Sequence, residues 1–238
     1  MPTVIDWCDE TINPLGHGCY GTGTKEKPEV CPYCYAVKLA RRNMRGCELC
    51  RQFIPHTHFE QLEKLRQWKK PKTIFVQSMG DLFHDDIPDE WIDEVFNACK
   101  SAYWHRYLFL TKNPKRYIEL DKNNKLPLTD IFWFGTTITN SKSEYFYSVG
   151  YNHNTFLSIE PIQDNFEEIE DVYEHRFVDW IIIGAETGNR KNKIIPEKKW
   201  IENIIKTCRT RRVSVFMKKN LSEIWQEPLI QEYPWRKK

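Results

Sequence analysis

Long apolar runs are missing from this sequence. No stretch approaches the roughly 20 apolar residues that a membrane helix needs, and no apolar segment follows a basic start, so the expectation is a soluble, cytoplasmic protein with no membrane partner. An excess of one charge is missing too. The 35 Lys and Arg nearly cancel the 33 Asp and Glu, and the formal charge of +2 argues for no particular partner. There is no internal repeat and no low-complexity segment. At 238 residues the chain is long enough for a large core and suggests one domain, or one domain with a small insertion. Cysteine, by contrast, is plentiful. Eight cysteines in a reducing compartment favour metal ligation or reactive thiols over disulfides.

Three of them lie in one stretch. Cys19 is followed by a Gly- and Lys-rich loop and then by Cys31-x-x-Cys34, a set able to grip one metal centre. Cys34 leads into a helical pattern (Tyr35, Val37, Leu39, Ala40), and a helix start offers free N–H groups and a positive dipole end to thiolates. A closed zinc site or an ordinary iron–sulfur cluster takes four protein ligands, so a triad without an obvious local fourth points to a centre with one open coordination position. The same residues carry a competing pattern. Cys31-x-x-Cys34, twelve residues, then Cys47-x-x-Cys50 has nearly the form of a four-thiolate zinc site. Against it, Tyr35–Asn43 is expected to be a rigid helix holding the two pairs apart. A compromise gives Cys47 and Cys50, with His56 or His58, a structural zinc of their own in an insertion at 44–58. Cys8, Cys99 and Cys208 fall in or beside apolar patterns and read as buried small hydrophobes.

Short apolar runs alternate with amphipathic helical patterns, the sequence form of βα units around a parallel sheet. Strands are expected at 3–7, 73–77, 107–110, 131–135, 155–159, 179–184 and 213–217. Helices are expected at 59–68, 90–101, 115–120, 142–148 and 197–210, with Pro88, Pro114 and Pro196 marking starts. Six or seven parallel strands fit a partial (β/α) TIM-like barrel or an open doubly wound sheet. Polar residues favour the barrel: Ser78 and Asp81, Thr111 and Lys112, Thr136 and Thr137, Ser158 and Glu160, Glu186, and Lys218 each follow a separate strand, where a barrel gathers its chemistry on one rim. Each alone is also an ordinary loop residue.

Several segments together resemble a known family. They are Asp6-Trp7 through Asn13-Pro14 and Gly18-Cys19, Cys31-x-x-Cys34-Tyr35-Ala36, Ser78-Met79-Gly80-Asp81-Leu82-Phe83-His84, Leu110 to Pro114, Leu157 to Pro161 and Gly184 to Gly188. They are similar to a phage-type family of radical S-adenosylmethionine (radical SAM) proteins, and more distantly to spore photoproduct lyase. The departures are the eleven residues between Cys19 and Cys31, where the family has few, Ile12 in place of Trp, and Ala185 in place of Gly. The resemblance implies a [4Fe-4S] cluster on Cys19, Cys31 and Cys34, with S-adenosylmethionine on the open iron. It implies reductive cleavage of that cofactor to a 5′-deoxyadenosyl radical and a reductant such as a flavodoxin or ferredoxin. Tyr33, Ser78, Met79, Gly80, Asp81 and Thr111 would line the cofactor, Asp81 accepting its ammonium. Glu160, Glu186 and Lys112 would act on cofactor or substrate. The plainer alternatives are that Lys112 neutralises a carboxylate, Glu160 caps a turn and His84 is a satisfied structural histidine.

Two other functions stay open. Basic clusters at 69–72, 209–212 and 218–219, with nine Trp and eleven Tyr, suit a zinc-ordered nucleic-acid-binding module built on Cys31, Cys34, Cys47 and Cys50. Nucleic acid is accordingly a candidate partner or substrate of the enzyme as well. A fully ligated cluster would instead make an electron-transfer protein.

Overall fold

The computed structural model describes residues 5–43, 46–148, 152–166 and 178–236. Its strands are β1 (Glu10–Ile12), β2 (Thr73–Val76), β3 (Arg106–Thr111), β4 (Phe132–Ile138), β5 (Asn154–Ile159), β6 (Trp180–Ile183) and β7 (Ser214–Met217). The helices are α1 (Tyr35–Asn43), α2 (Glu48–Gln52), α3 (Glu63–Gln67), α4 (Asp89–Ser101), α5 (Pro114–Lys122), α6 (Lys198–Arg211) and α7 (Ser222–Trp225). The seven strands form one sheet in the order β1 to β7, with parallel registers such as Glu10↔Ile74, Thr73↔Arg106, Phe156↔Trp180 and Trp180↔Ser214. A doubly wound sheet reverses its order at a switch point. Strands that neighbour one another in chain order throughout define a partial (β/α) barrel of the TIM type. No described helix is long and apolar enough to cross a membrane.

Two compact units make up the chain, residues 1–133 and 134–238. In the first, all of Thr73–Val76 is buried, as expected of a parallel strand covered on both faces. Phe96 from α4, Phe109 from β3 and Phe132 from β4 meet edge-on or tilted with centroids 5.3 to 5.6 Å apart, and Phe83 and Tyr117 extend the cluster. Helix α4 starts behind Pro88 with Asp89 and Glu90 in its first turn, where acids suit the dipole. Its buried Ile92, Val95, Phe96 and Cys99 recur at helical spacing. In the second unit, Leu157, Ile159, Ile181, Ile183, Val215 and Met217 of β5 to β7 pack against Ile201, Ile204 and Cys208 of α6.

Three expected elements are corrected. The first strand is Glu10–Ile12, while the described part of 3–7 is not a strand and Met1–Val4 lie outside the described residues. Asp9 sets that register: its carboxylate accepts the Thr73 N–H at 2.7 Å and its own N–H donates to the Thr73 carbonyl at 2.8 Å. Trp7 packs its ring on Phe75 instead, 4.7 Å between centroids. Residues 142–148 are irregular rather than helical, because side chains capture their backbone. The Phe146 N–H donates to Thr136 Oγ1 at 3.0 Å and the Lys142 N–H to Asn140 Oδ1 at 3.0 Å. The 59–68 helix divides into a 3₁₀ turn at Phe59–Leu62 and α3. Cys99 and Cys208 are buried as expected, whereas Cys8 is half-buried.

Candidate metal centres of the first unit

Cys19, Cys31 and Cys34 are all free thiols of intermediate exposure. Eleven residues separate the first two, and the chain absorbs them in a closed loop. The Glu29 N–H donates to the Tyr20 carbonyl at 2.9 Å, the Thr22 N–H to the Glu29 carbonyl at 3.0 Å, and the Thr24 N–H to the Lys27 carbonyl at 3.0 Å. Gly21, at φ +70, permits this closure, since a Cβ there would sit 1.9 Å from the Glu29 carbonyl oxygen. Two residues after the loop returns to Tyr20 the chain reaches Cys31. The Cys34 N–H then donates to the Cys31 carbonyl at 2.9 Å, and α1 begins at Tyr35. Cys19 and Cys34 pack against one apolar cluster of Ala36, Ala40, Phe53 and Met79. Burial pushes the Cys19 thiol up to about 12, helped by the Asp81 charge and opposed by the Gly21 N–H, which donates to Sγ at 3.2 Å. A thiol held protonated in this way is almost wholly un-ionised near neutral pH, and a coordinating metal would take the proton's place. Cys19, Cys31 and Cys34 thus stand on one short limb braced by its own backbone hydrogen bonds.

The segment after β2 braces that limb. Gly18 pairs with Gly80 in a parallel bridge, and its N–H donates to the Met79 carbonyl at 3.1 Å. The Met79 N–H in turn donates to Asn13 Oδ1 at 2.8 Å, Ser78 Oγ to the same oxygen at 3.3 Å, and Tyr35 Oη to the Ser78 carbonyl at 2.6 Å. Asp81 is similarly occupied. Its carboxylate accepts the Thr111 hydroxyl at 2.8 and 2.9 Å, the Lys112 N–H at 3.0 Å and the Phe83 N–H at 3.0 Å, tying the end of β2 to the end of β3. Lys112 then carries its ammonium 5.9 Å from the centroid of the Tyr33 ring. His84 is a structural residue: Nε2 donates to the Gly23 carbonyl at 3.1 Å and Nδ1 accepts the Asp86 N–H at 3.1 Å, so both nitrogens are used.

A second group lies between α1 and α3. Cys47, Cys50, His56 and His58 hold their ligating atoms within 4.8 Å of one another and could bind a metal ion. Cys31 and Cys34 do not join them, so the Cys47 and Cys50 pair is completed by the two histidines. Hydrogen bonds from the Cys50 N–H and the His58 ring hold the Cys47 thiol down to about 6. Burial pushes Cys50 upward.

In the second unit the two candidate acids are held by cations. Glu160, before a cis Pro161, accepts Lys218 Nζ at 2.7 Å on Oε2, while its buried Oε1 has no hydrogen-bond partner among the described residues. Glu186, 7% exposed, makes a two-point pair with Arg190 at 2.6 and 2.7 Å. Thr136 is buried and takes the Phe146 N–H as described.

Sequence reasoning passed over Asn13 and Gln77. Asn13 receives both Ser78 and Met79, and its Asn-Pro context was the one visible sign. Gln77, buried and at φ +64, accepts the Leu15 N–H and donates to the Gly16 carbonyl, both at 3.0 Å. Nothing in its neighbourhood marks it out, because its partners lie about sixty residues away.

A sequentially ordered parallel sheet, with a cysteine-rich segment between its first two strands, defines an α/β protein of the partial-barrel class, and among the described residues Cys47, Cys50, His56 and His58 form a group that could hold a metal ion. The chain belongs to a family described as Protein of unknown function (DUF5131), whose model matches residues 2–228. Comparison with curated proteins and with solved structures gives no match.

Proposed function

We propose that the chain is a radical S-adenosylmethionine enzyme whose Cys19, Cys31 and Cys34 hold a [4Fe-4S] cluster. The observation that supports the proposal is the closure of the 20–29 loop, which returns the chain to Tyr20 two residues before Cys31 despite the wide spacing from Cys19. When bound, the cluster and its cofactor supply one-electron cleavage of a carbon–sulfur bond, driven by a reductant such as a flavodoxin or ferredoxin. The protein's part is placement. Cys19 and Cys34 stand against Ala36, Ala40 and Met79, an apolar backing that limits water on that side. The Gly21 N–H remains a donor to the Cys19 sulfur, one of the levers that tune such centres. Lys112, anchored through its backbone to Asp81 and lying over Tyr33, offers an ammonium to a carboxylate. Asp81 acts here by positioning Thr111 and Lys112. At Cys47 and Cys50 the ion is structural zinc.

The test is product release. Protein purified and reduced without oxygen is expected to yield 5′-deoxyadenosine from S-adenosylmethionine, followed by chromatography. An iron-replete, reduced protein that leaves the cofactor whole would support electron transfer instead.

A further inference from the structure

We infer that Cys47, Cys50, His56 and His58 bind one zinc ion that clamps residues 14–19, and that this clamp sets where the Cys19 thiol stands. The inference rests on the proposed function only for the use made of that thiol.

Geometry supports zinc at this place. A tetrahedral ion with Zn–S near 2.3 Å and Zn–N near 2.0–2.1 Å separates neighbouring sulfur and nitrogen ligands by about 3.6 Å. The four distances between Cys Sγ and His Nε2 atoms are 3.2, 3.5, 3.7 and 3.6 Å. Both rings turn Nε2 toward the sulfurs and are held from behind at Nδ1, His56 by the Ile54 carbonyl at 2.8 Å and His58 by the Glu60 carboxylate at 2.5 Å. Such outer partners place the proton on Nδ1 and leave the Nε2 lone pair for a metal. Two thiolates with two imidazoles are a zinc ligand set.

The clamp follows from what surrounds those ligands. Residues 47–58 contain one five-residue helix, far too little chain for a core of its own, so the metal supplies the fixed shape. That shape is moulded onto 14–19. The His58 N–H donates to the Pro14 carbonyl at 2.6 Å, the His56 N–H to the Leu15 carbonyl at 3.4 Å, and the His17 N–H to Cys50 Sγ at 3.3 Å. The Cys19 N–H itself donates to the Phe53 carbonyl at 3.4 Å. Gly16, at φ +62, lies so close that a Cβ would stand 2.8 Å from both histidine rings and 3.1 Å from Cys50 Sγ. Gln77 supports the same segment from the sheet, so 14–19 rests on two supports. Losing zinc removes one of them. Cys50 is 1% exposed, so this side of the site faces inward rather than toward a partner.

The experiment titrates iron-free, full-length protein with zinc in a chelator buffer. It reads alkylation of Cys19 by iodoacetamide through peptide masses. One high-affinity zinc per chain is expected at this site, and its binding should slow Cys19 alkylation by about tenfold, equivalent to roughly 1.4 kcal/mol on local opening. Cys8, which lies outside residues 14–19, should not change. Glu60→Ala, at an exposed position, should raise the zinc concentration needed for half-occupancy by about tenfold, and the Cys19 protection curve should move with it. The clamp is refuted by an absence of bound zinc, by zinc binding that leaves Cys19 reactivity unchanged, or by protection that ignores Glu60→Ala, which would mean zinc sitting on Cys19 itself. Zinc-dependent protection in a protein that never assembles iron would sink the cluster alone; iron assembly without zinc would sink the clamp alone.

Discussion

Asp81→Asn isolates the junction between β2 and β3. The carboxylate receives three donors, the N–H groups of Phe83 and Lys112 and the Thr111 hydroxyl. The hydroxyl cannot easily turn away, because its oxygen already accepts the Asn113 N–H at 2.9 Å. Asparagine keeps one acceptor oxygen and puts an NH₂ donor where the other was, so at least one donor faces a donor. A hydrogen bond to a charged group is worth about 1.5–3 kcal/mol. Asp81 is only half-buried, and solvent takes up part of that loss, which leaves about 2 kcal/mol. For a chain of this length 1 kcal/mol moves Tm by about 2–4 °C, so a fall of about 4–8 °C is expected in thermal unfolding followed by circular dichroism. Thr111→Val should cost a similar amount and combine with Asp81→Asn less than additively, since both remove one contact. A Tm for Asp81→Asn within about 1 °C of the parent would refute the bracket and return Asp81 to the role of a free acceptor for a cofactor ammonium.

Gly21→Val should lower iron content without touching a ligand. Its Cβ would overlap the Glu29 carbonyl at 1.9 Å in a backbone region closed to branched side chains, and an iron assay on the reconstituted variant checks it. In metal-free protein the Cys19 and Cys47 thiols should separate by pH. Burial holds Cys19 near 12, so its thiolate, and with it the alkylation rate, should still climb about tenfold per pH unit between pH 8 and 10, where an ordinary thiol levels off near 9. The same raised value means that protonated Cys19 favours the fold below pH 9, a contribution lost as pH rises from 9 toward 12. Cys47, held near 6, should alkylate at a rate that is already flat by pH 8.

The sheet was readable because its strands are buried on both faces, so that Trp180–Ile183 appears as an unbroken apolar run. β1 was not readable. It has three residues, two of them polar, and its register comes from Asp9 and Thr73, a pairing that no local pattern announces. The apparent helix at 142–148 failed because Asn140 and Thr136 capture its N–H groups. At the site, spacing alone displayed Cys31 and Cys34. The closed loop that returns the chain to Tyr20 two residues before Cys31 depends on a turn at Gly21, which spacing does not reveal. His56 and His58 were visible as candidates, but that both turn Nε2 to the same two sulfurs depends on Ile54 and Glu60 behind the rings. Asp81 stood out as a polar residue after a strand, while its donors at 111 and 112 are thirty residues away.

The most direct test of the cluster assignment is to count iron and sulfide per chain after anaerobic reconstitution, in the parent and in Cys19→Ala. The predicted result is about four irons with matching sulfide in the parent and loss of that iron in a variant that remains folded by circular dichroism. A full cluster retained in Cys19→Ala, or a parent protein that takes up zinc and no iron, would contradict it.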